Sequence, residues 1–155
     1  MTDKAPDRSS GISGGFRRLV GYRLRTWSEG YGEMELVIGP EHDNSHGMVH
    51  GGLYATLLDA AMGHAVSWCA VSGNVRRATT LSLTTNYLKG AKSGTLIATA
   101  KLESTIGRIA TVTGEVRTSD GLLCATGLAS FMYFAGSEHR DGVPRTPPGA
   151  LDRIS

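Results

Sequence analysis

The stretch that decides the fold is Asn44–Trp68, which reads NSHGMVHGGLYATLLDAAMGHAVSW. It holds three histidines, a Gly-Gly pair and a single carboxylate. The side chains that follow Gly51 are almost all apolar, which is typical of a helix that is buried on most sides. We expect this helix to run from Gly51 to about Ser72.

Asp59 is the charged residue of this helix and has no local partner. The residues three and four positions away from it are small or apolar, so no cation of the same helix can pair with it. A buried carboxylate either receives hydrogen bonds from a distant segment or performs chemistry such as general-base catalysis. We therefore expect Asp59 to be largely removed from water, either as a catalytic base or as a cap of a neighbouring loop.

The helix start and one of its faces are open to close approach. Gly51 and Gly52 leave the first backbone N–H groups unobstructed, and a helix N-terminus attracts an anion or a polarised carbonyl oxygen. One helix face carries only small side chains, namely Gly52, Ala55, Thr56, Asp59 and Gly63. We expect a ligand or another backbone to lie against this face.

The rest of the chain predicts strands. Alternating polar and apolar residues indicate a hairpin over residues 20–38 and four strands near Thr79–Leu88, Thr95–Glu103, Arg108–Thr118 and Leu122–Phe134. The predicted fold class is α+β, an antiparallel sheet that wraps around one long central helix. The domain covers residues 15–134, whereas residues 1–14 and 135–155 are expected to be poorly ordered tails. We expect an oligomer to cover the remaining helix face.

Composition excludes several classes of function. The net charge of +2 is too small to indicate a nucleic-acid partner. Cys69 and Cys124 lie in apolar runs without metal or redox spacing, so we expect buried free thiols. No stretch reaches the ~18 apolar residues of a membrane span, and the first residues lack the apolar core of a signal peptide. We therefore expect a cytoplasmic protein without a membrane partner.

A metal site is the first alternative, because His42, His46 and His50 stand four residues apart. This spacing aligns ligands only on a helix, and Pro40 and Gly47 indicate a loop instead. We expect no metal ion at this position.

The combination of Asn44, His50-Gly51-Gly52 and Asp59 resembles the pattern Asn-x5-His-Gly-Gly-x6-or-7-Asp of the hotdog-fold acyl-CoA thioesterases. The resemblance is to the phenylacetic-acid-pathway group of the 4-hydroxybenzoyl-CoA thioesterase superfamily. It covers about residues 20–134 and includes Tyr87-Leu88-Lys89 and the turn Gly107-Arg108. It implies a hotdog fold and hydrolysis of an aromatic or medium-chain acyl-CoA.

The resemblance also implies roles for individual residues. The thioester carbonyl would be held by the Gly51 N–H and the Asn44 side chain. Asp59 would activate water or attack the carbonyl carbon directly, and of these two roles we favour water activation. Thr80 would orient that water, with Thr79 as the alternative if the register shifts by one. His50 would brace the loop or form a hydrogen bond near the thioester.

Further residues are implied for substrate binding, and these are Gly52, Tyr87, Lys89, Gly107 and Arg108. Family sites lie between subunits, so we expect a homodimer, and a dimer of dimers beyond it, in which the Asn44 loop faces Asp59 of the partner. Coenzyme A is then part of the substrate, and no cofactor is expected. The alternative function is a hotdog module that binds acyl-CoA without cleaving it.

Overall fold

The computed structural model describes residues 14–145. The elements in chain order are α1 (Gly15–Val20), β1 (Arg23–Ser28), β2 (Tyr31–Val37), a 3-10 turn (Pro40–His42), α2 (Gly51–Ser67), β3 (Asn74–Val75), β4 (Ala78–Tyr87), β5 (Thr95–Ile106), β6 (Ile109–Thr118), β7 (Leu123–Tyr133) and β8 (Val143–Pro144). The predicted hairpin and the four long strands are therefore confirmed. The central helix is shorter than predicted, because the backbone at Trp68 is already extended, with φ −59° and ψ 134°.

Six strands form one antiparallel sheet in the order β1-β2-β5-β6-β7-β4. β1 and β4 are the two edges, and both reach the central helix. On one side, the Trp27 indole of β1 donates a 2.8 Å hydrogen bond to the His64 carbonyl of α2. On the other, Thr80 of β4 contacts Asp59 of α2. The sheet therefore wraps around α2, as the sequence predicts.

Only one face of α2 is buried in the single chain. The buried side chains come as neighbouring pairs spaced four residues apart, namely Leu53 and Tyr54, Leu57 and Leu58, Ala61 and Met62, and Ala65 and Val66. The opposite face, with its small residues and Asp59, is open. The expectation that this helix is buried on most sides is therefore wrong for one chain.

Three glycines of the sheet allow α2 to lie unusually close to it. Gly114 and Gly127 are paired across β6 and β7, and a β-carbon at either position would come 3.0 Å from the Met62 methyl group. A β-carbon at Gly32 of β2 would come 2.3 Å from the Ala61 carbonyl oxygen. Because backbone atoms of α2 occupy that space, a side chain at Gly32 cannot be accommodated without moving the helix.

The segment 135–145 is ordered, so the predicted tail is wrong there. β8 pairs with β3, and Arg76 donates hydrogen bonds to the carbonyls of Ser137 at 2.9 Å and Glu138 at 3.1 Å. Arg140 binds the Glu29 carboxylate through both Nε and Nη2, at 2.6 and 2.9 Å. These contacts involve backbone carbonyls and distant partners, which a polar composition does not reveal. The rest of both predicted tails, residues 1–13 and 146–155, lies outside the described residues.

Cys69 and Cys124 are both free and buried, as expected. Among residues 14–145, no helix has the length and apolar character that crossing a bilayer requires.

The first prediction concerns the contact at Gly32. We expect Gly32→Ala to lower the free energy of unfolding by roughly 1–3 kcal/mol, since the new methyl group overlaps a backbone carbonyl that cannot rotate away. Gly15→Ala is the matched control, because its β-carbon meets nothing closer than 3.9 Å. That control is expected to stay within about 0.5 kcal/mol of the native protein. Urea unfolding of the three proteins measures both values, and equal stabilities would contradict the close contact.

Candidate active site

The loop before α2 folds back as a small hairpin. Its two arms are joined by hydrogen bonds from the His50 N–H to the His42 carbonyl, 2.8 Å, and from the Asn44 N–H to the Met48 carbonyl, 2.7 Å. Gly47 at the tip has a φ of +68°, a conformation that favours glycine. Because the arms are antiparallel, Asn44 lies beside the arm that leads directly into the first residue of α2.

The Asn44 side chain is oriented by its own loop. Its Oδ1 accepts hydrogen bonds from the N–H groups of His46 at 2.9 Å and Met48 at 3.2 Å. This fixes which end of the amide is the oxygen, so the NH2 end points away from the loop backbone. Within residues 14–145, no acceptor is bound to that NH2 group. Asn44 therefore presents an oriented and unused hydrogen-bond donor.

The start of α2 offers a second donor. His50 is the N-cap, and its Nδ1 accepts the Gly52 N–H at 2.9 Å. The Leu53 N–H donates to the His50 carbonyl at 2.9 Å. In the described part of the chain, the Gly51 N–H has no such acceptor. Gly51 is thus positioned to bind a carbonyl oxygen, whereas the Gly52 N–H is already used by the cap.

Asp59 lies two turns further along α2. Its Oδ1 accepts a hydrogen bond of 2.7 Å from the Thr80 hydroxyl of β4. Asp59 is exposed in the single chain, so the expectation that it is removed from water is wrong for one chain. The reason is that the sheet packs on the opposite face of the helix. Of the two candidate hydroxyls, the structure brings Thr80 to the acid, whereas Thr79 pairs with Met132.

A β-bulge aims Thr80 at the helix. The register between β4 and β7 shifts between Thr80 and Ser82, so that Thr80 pairs with the buried Phe131. If side chains of β4 alternated strictly, Leu81 would lie on the same face as Leu83, which packs against the core. Leu81 is instead 52% exposed. The extra residue of the bulge therefore reverses the alternation and turns the Thr80 side chain toward α2, where it remains exposed in the single chain.

Sequence reasoning assigned no role to Tyr22 or His64, whose pKa values are shifted in the folded chain. Burial raises the pKa of Tyr22, with Arg17 lowering it and the Asp59 carboxylate raising it further. The Arg17 Nε donates to the Tyr22 carbonyl at 3.3 Å. Burial also lowers the pKa of His64, and Arg17 contributes to that shift. Arg17 of α1 and Tyr22 therefore interact electrostatically with groups of α2, and no spacing in the sequence indicates these interactions.

In one chain, the donors and the acid are too far apart to act on the same bond. Gly51 and Asp59 are eight residues apart, which corresponds to about 12 Å along a helix at 1.5 Å per residue. The N–H groups at a helix start point away along the axis, so an oxygen bound to Gly51 lies further still from Asp59. Reacting atoms need to be about 3–3.5 Å apart. Within a single chain, these donors and the acid therefore do not form one reaction centre.

The other predicted binding residues lie at opposite ends of the sheet. The Tyr87 ring is at the Gly51 end, 3.4 Å from the place of a β-carbon on Gly51, and Lys89 is exposed nearby. Gly107, with a φ of +58°, turns β5 into β6 beside the exposed Arg108 at the other end. β4 spans this distance with ten residues, about 30 Å at 3.3 Å per residue. One chain therefore does not bring Lys89 and Arg108 together.

The histidines of the loop have separate environments. His42 is buried, whereas His46 is exposed and His50 caps α2. Within residues 14–145, no group of three or more His, Cys, Asp or Glu side chains is arranged to hold a metal ion.

An antiparallel sheet around one long helix, with unused donors at the helix start, defines a hotdog-fold protein. Residues 46–125 match the family model of the thioesterase superfamily. A proposed esterase from Archaeoglobus fulgidus is 31% identical over 108 residues, which cover 69% of this chain and 67% of that relative. The chain therefore belongs to the thioesterase superfamily.

Solved structures agree with this assignment. A conserved protein from Pseudomonas aeruginosa superposes with a TM-score of 0.75 at 29% identity, covering 83% of this chain and 100% of that chain. A proposed thioesterase from Ralstonia eutropha JMP134, related to phenylacetic acid degradation, superposes with a TM-score of 0.70 at 28% identity. That match covers 81% of this chain and 94% of the other. The predicted hotdog fold is confirmed.

The second prediction separates the two ends of the Asn44 amide. Asn44→Ala removes the oxygen that binds two backbone N–H groups, so we expect the free energy of unfolding to fall by about 1–2 kcal/mol. Asn44→Asp keeps oxygen acceptors at the same place and is expected to remain within about 0.5 kcal/mol of the native protein. Urea unfolding measures both. Equal losses in the two variants would show that the loop does not depend on this oxygen.

Proposed function

We propose that this protein hydrolyses an acyl-CoA thioester to a free acid and coenzyme A, with an aromatic or medium-chain acyl group. The observation that carries the proposal is the pair of unused donors at Asn44 and Gly51, next to the start of the central helix in a member of the thioesterase superfamily. Coenzyme A enters as part of the substrate, and the scheme uses no separate cofactor.

The donors stabilise the charge that develops during the reaction. When water adds to the thioester carbon, negative charge builds up on the carbonyl oxygen. The Gly51 N–H and the Asn44 NH2 both donate to that oxygen. In comparable oxyanion sites, one such donor is worth about 2.7–4 kcal/mol of transition-state stabilisation. The fixed loop geometry keeps both donors in place before the substrate arrives.

Asp59 is the proposed base. It takes a proton from a water molecule while the water oxygen bonds to the thioester carbon. The tetrahedral intermediate then breaks its carbon–sulfur bond, and the leaving sulfur takes the proton from Asp59, so that coenzyme A departs as the thiol and the carboxylate is restored. Thr80 holds one carboxylate oxygen through its hydroxyl, which leaves the other oxygen to face the water. General-base catalysis of this kind typically contributes about 10²- to 10⁴-fold in rate.

The second copy of the chain joins through β4. This edge strand carries no charged residue, and Leu81 and Tyr87 on it are 52% and 57% exposed. The other edge strand, β1, carries Arg23 and Arg25, and charged side chains on an edge strand oppose edge pairing. β4 is therefore the edge that favours a homodimer.

Antiparallel pairing of two β4 strands assembles the site. If the twofold axis passes through Thr84, Leu83 lies opposite Thr85 of the partner subunit. Because the bulge adds one residue at Leu81, Thr80 then lies opposite Tyr87 of the partner subunit. Since Asp59 is bound to Thr80 and Gly51 lies at Tyr87, the acid of one chain meets the donors of the other.

The same pairing supports the proposed substrate contacts. It brings the Arg108 end of one chain toward Lys89 of the partner subunit, so that both cations can face one nucleotide. The small side chains Ala55, Thr56 and Gly63 on the open face of α2 leave room for the acyl group beside Asp59.

The third prediction tests the reaction. We expect thiol release from phenylacetyl-, hydroxybenzoyl- or straight-chain CoA esters, and a loss of about 10²-fold or more in kcat for Asp59→Asn, which cannot accept the proton. Thr80→Val should also lower kcat, whereas Thr80→Ser keeps the hydroxyl and should remain close to native. A chain that binds these esters without turning over any of them would instead be a binding module.

The fourth prediction tests the shared site. Asn44→Asp and Asp59→Asn homodimers are each expected to be nearly inactive. When the two variants are unfolded and refolded together, half of the dimers are mixed, and each mixed dimer has one intact site out of two. We therefore expect about a quarter of the native activity to return. A site contained within one chain would recover nothing on mixing.

A further inference from the structure

The His42 side chain lies at the base of the loop that carries Asn44, and it is buried, with 7% of its surface exposed. Its Nδ1 accepts the Gly39 N–H at 2.9 Å. Its Nε2 lies 2.8 Å from the carbonyl oxygen of Val20, the last residue of α1. Because a carbonyl can only accept, Nε2 carries the proton and donates it. The ring therefore joins two backbone segments that are distant in sequence.

The same residue also holds the second arm of the loop. The His42 carbonyl accepts the His50 N–H at 2.8 Å, and His50 is the residue directly before Gly51. On the first arm, Asn44 follows His42 by two positions. Asn44 is therefore two residues from His42 along the chain, and Gly51 follows a residue whose N–H is bound to His42. Both groups proposed to bind the substrate carbonyl are thus connected to the residue whose ring is fixed to α1.

No other side chain in the loop has this arrangement. His46 is exposed, and its backbone N–H is bound within the loop, to Asn44 Oδ1. The bond from Val49 to the carbonyl of Ala91 holds the loop on its other side, but it is a backbone contact that any residue can make. His42 is therefore the side-chain tie between the loop and the first helix.

We propose that His42 is a positioning residue, which sets the placement of the Asn44 NH2 and the Gly51 N–H through its bond to Val20. The inference rests on the proposed function, because it assigns to these donors the binding of a carbonyl oxygen. The bond to Gly39 closes the local 3-10 turn, whereas the bond to Val20 fixes the loop relative to the rest of the domain. Loss of the Val20 bond is the change that matters for the site.

Two substitutions separate the two bonds. His42→Asn places an oxygen near the position of Nδ1 and keeps the bond to Gly39, but it is too short to reach Val20. His42→Gln extends an NH2 group toward Val20 and is the conservative replacement for Nε2. His46→Asn is the matched control in the same loop.

The kinetic readout uses thiol release. A displacement of about 1 Å in a site can cost about 10²-fold in rate, so we expect His42→Asn to lower kcat about 10- to 100-fold with little change in KM. His42→Gln should recover most of that loss, and His46→Asn should match the native protein. On the Asn44→Asp background, His42→Asn should cost much less, because the donor that it positions is already absent. Fully additive losses, or an unchanged kcat, would overturn the proposal.

Amide hydrogen exchange gives a readout that does not depend on turnover. We expect exchange in residues 43–53 to accelerate about tenfold or more in His42→Asn, but not in His42→Gln or His46→Asn. If the native chain releases no thiol while this acceleration is seen, the thioesterase proposal fails and the tie to Val20 stands. If exchange in this segment is the same in all four proteins, His42 does not position the loop.

Discussion

The contact between α2 and the sheet is the constraint on which the rest of the structure depends. Gly32, Gly114 and Gly127 remove the side chains that would separate the two layers, so that Leu58 and Met62 fill the space over the central strands. A helix held this closely has one face inside and one face outside, with little freedom to rotate. The open face, the position of Asp59 on it and the direction of the first N–H groups all follow from that orientation.

The proposed chemistry uses groups that the fold leaves without partners. Helix formation itself leaves the N–H of Gly51 unpaired, while the loop engages the oxygen of Asn44 and leaves its nitrogen. Neither donor requires a movement to become available. The acid, by contrast, lies about two turns along the same helix and faces outward. One chain thus carries both halves of the proposed site, but they do not meet within that chain.

Much of this could be predicted from the sequence, because it depends on local patterns. The start of α2 is marked by His50 and two glycines, and period-two alternation predicts the long strands and the fold class. The pairing of Thr80 with Asp59 follows from the family resemblance. The exposure of Asp59 could not be predicted, since it depends on which helix face meets the sheet. The structure of residues 135–145 and the proposed role of His42 depend on hydrogen bonds to distant backbone carbonyls, which leave no pattern in the sequence.

The bulge at Leu81 determines both the orientation of Thr80 and the exposure of Leu81. One additional residue in β4 turns the hydroxyl of Thr80 toward the acid and at the same time pushes a leucine out beside the open edge. Inserting or deleting a residue in this strand would reverse both orientations together. During the evolution of related proteins, substitutions can therefore change the Thr80 hydroxyl or the exposed Leu81 separately. An insertion or deletion in β4 changes the orientation of both side chains at once.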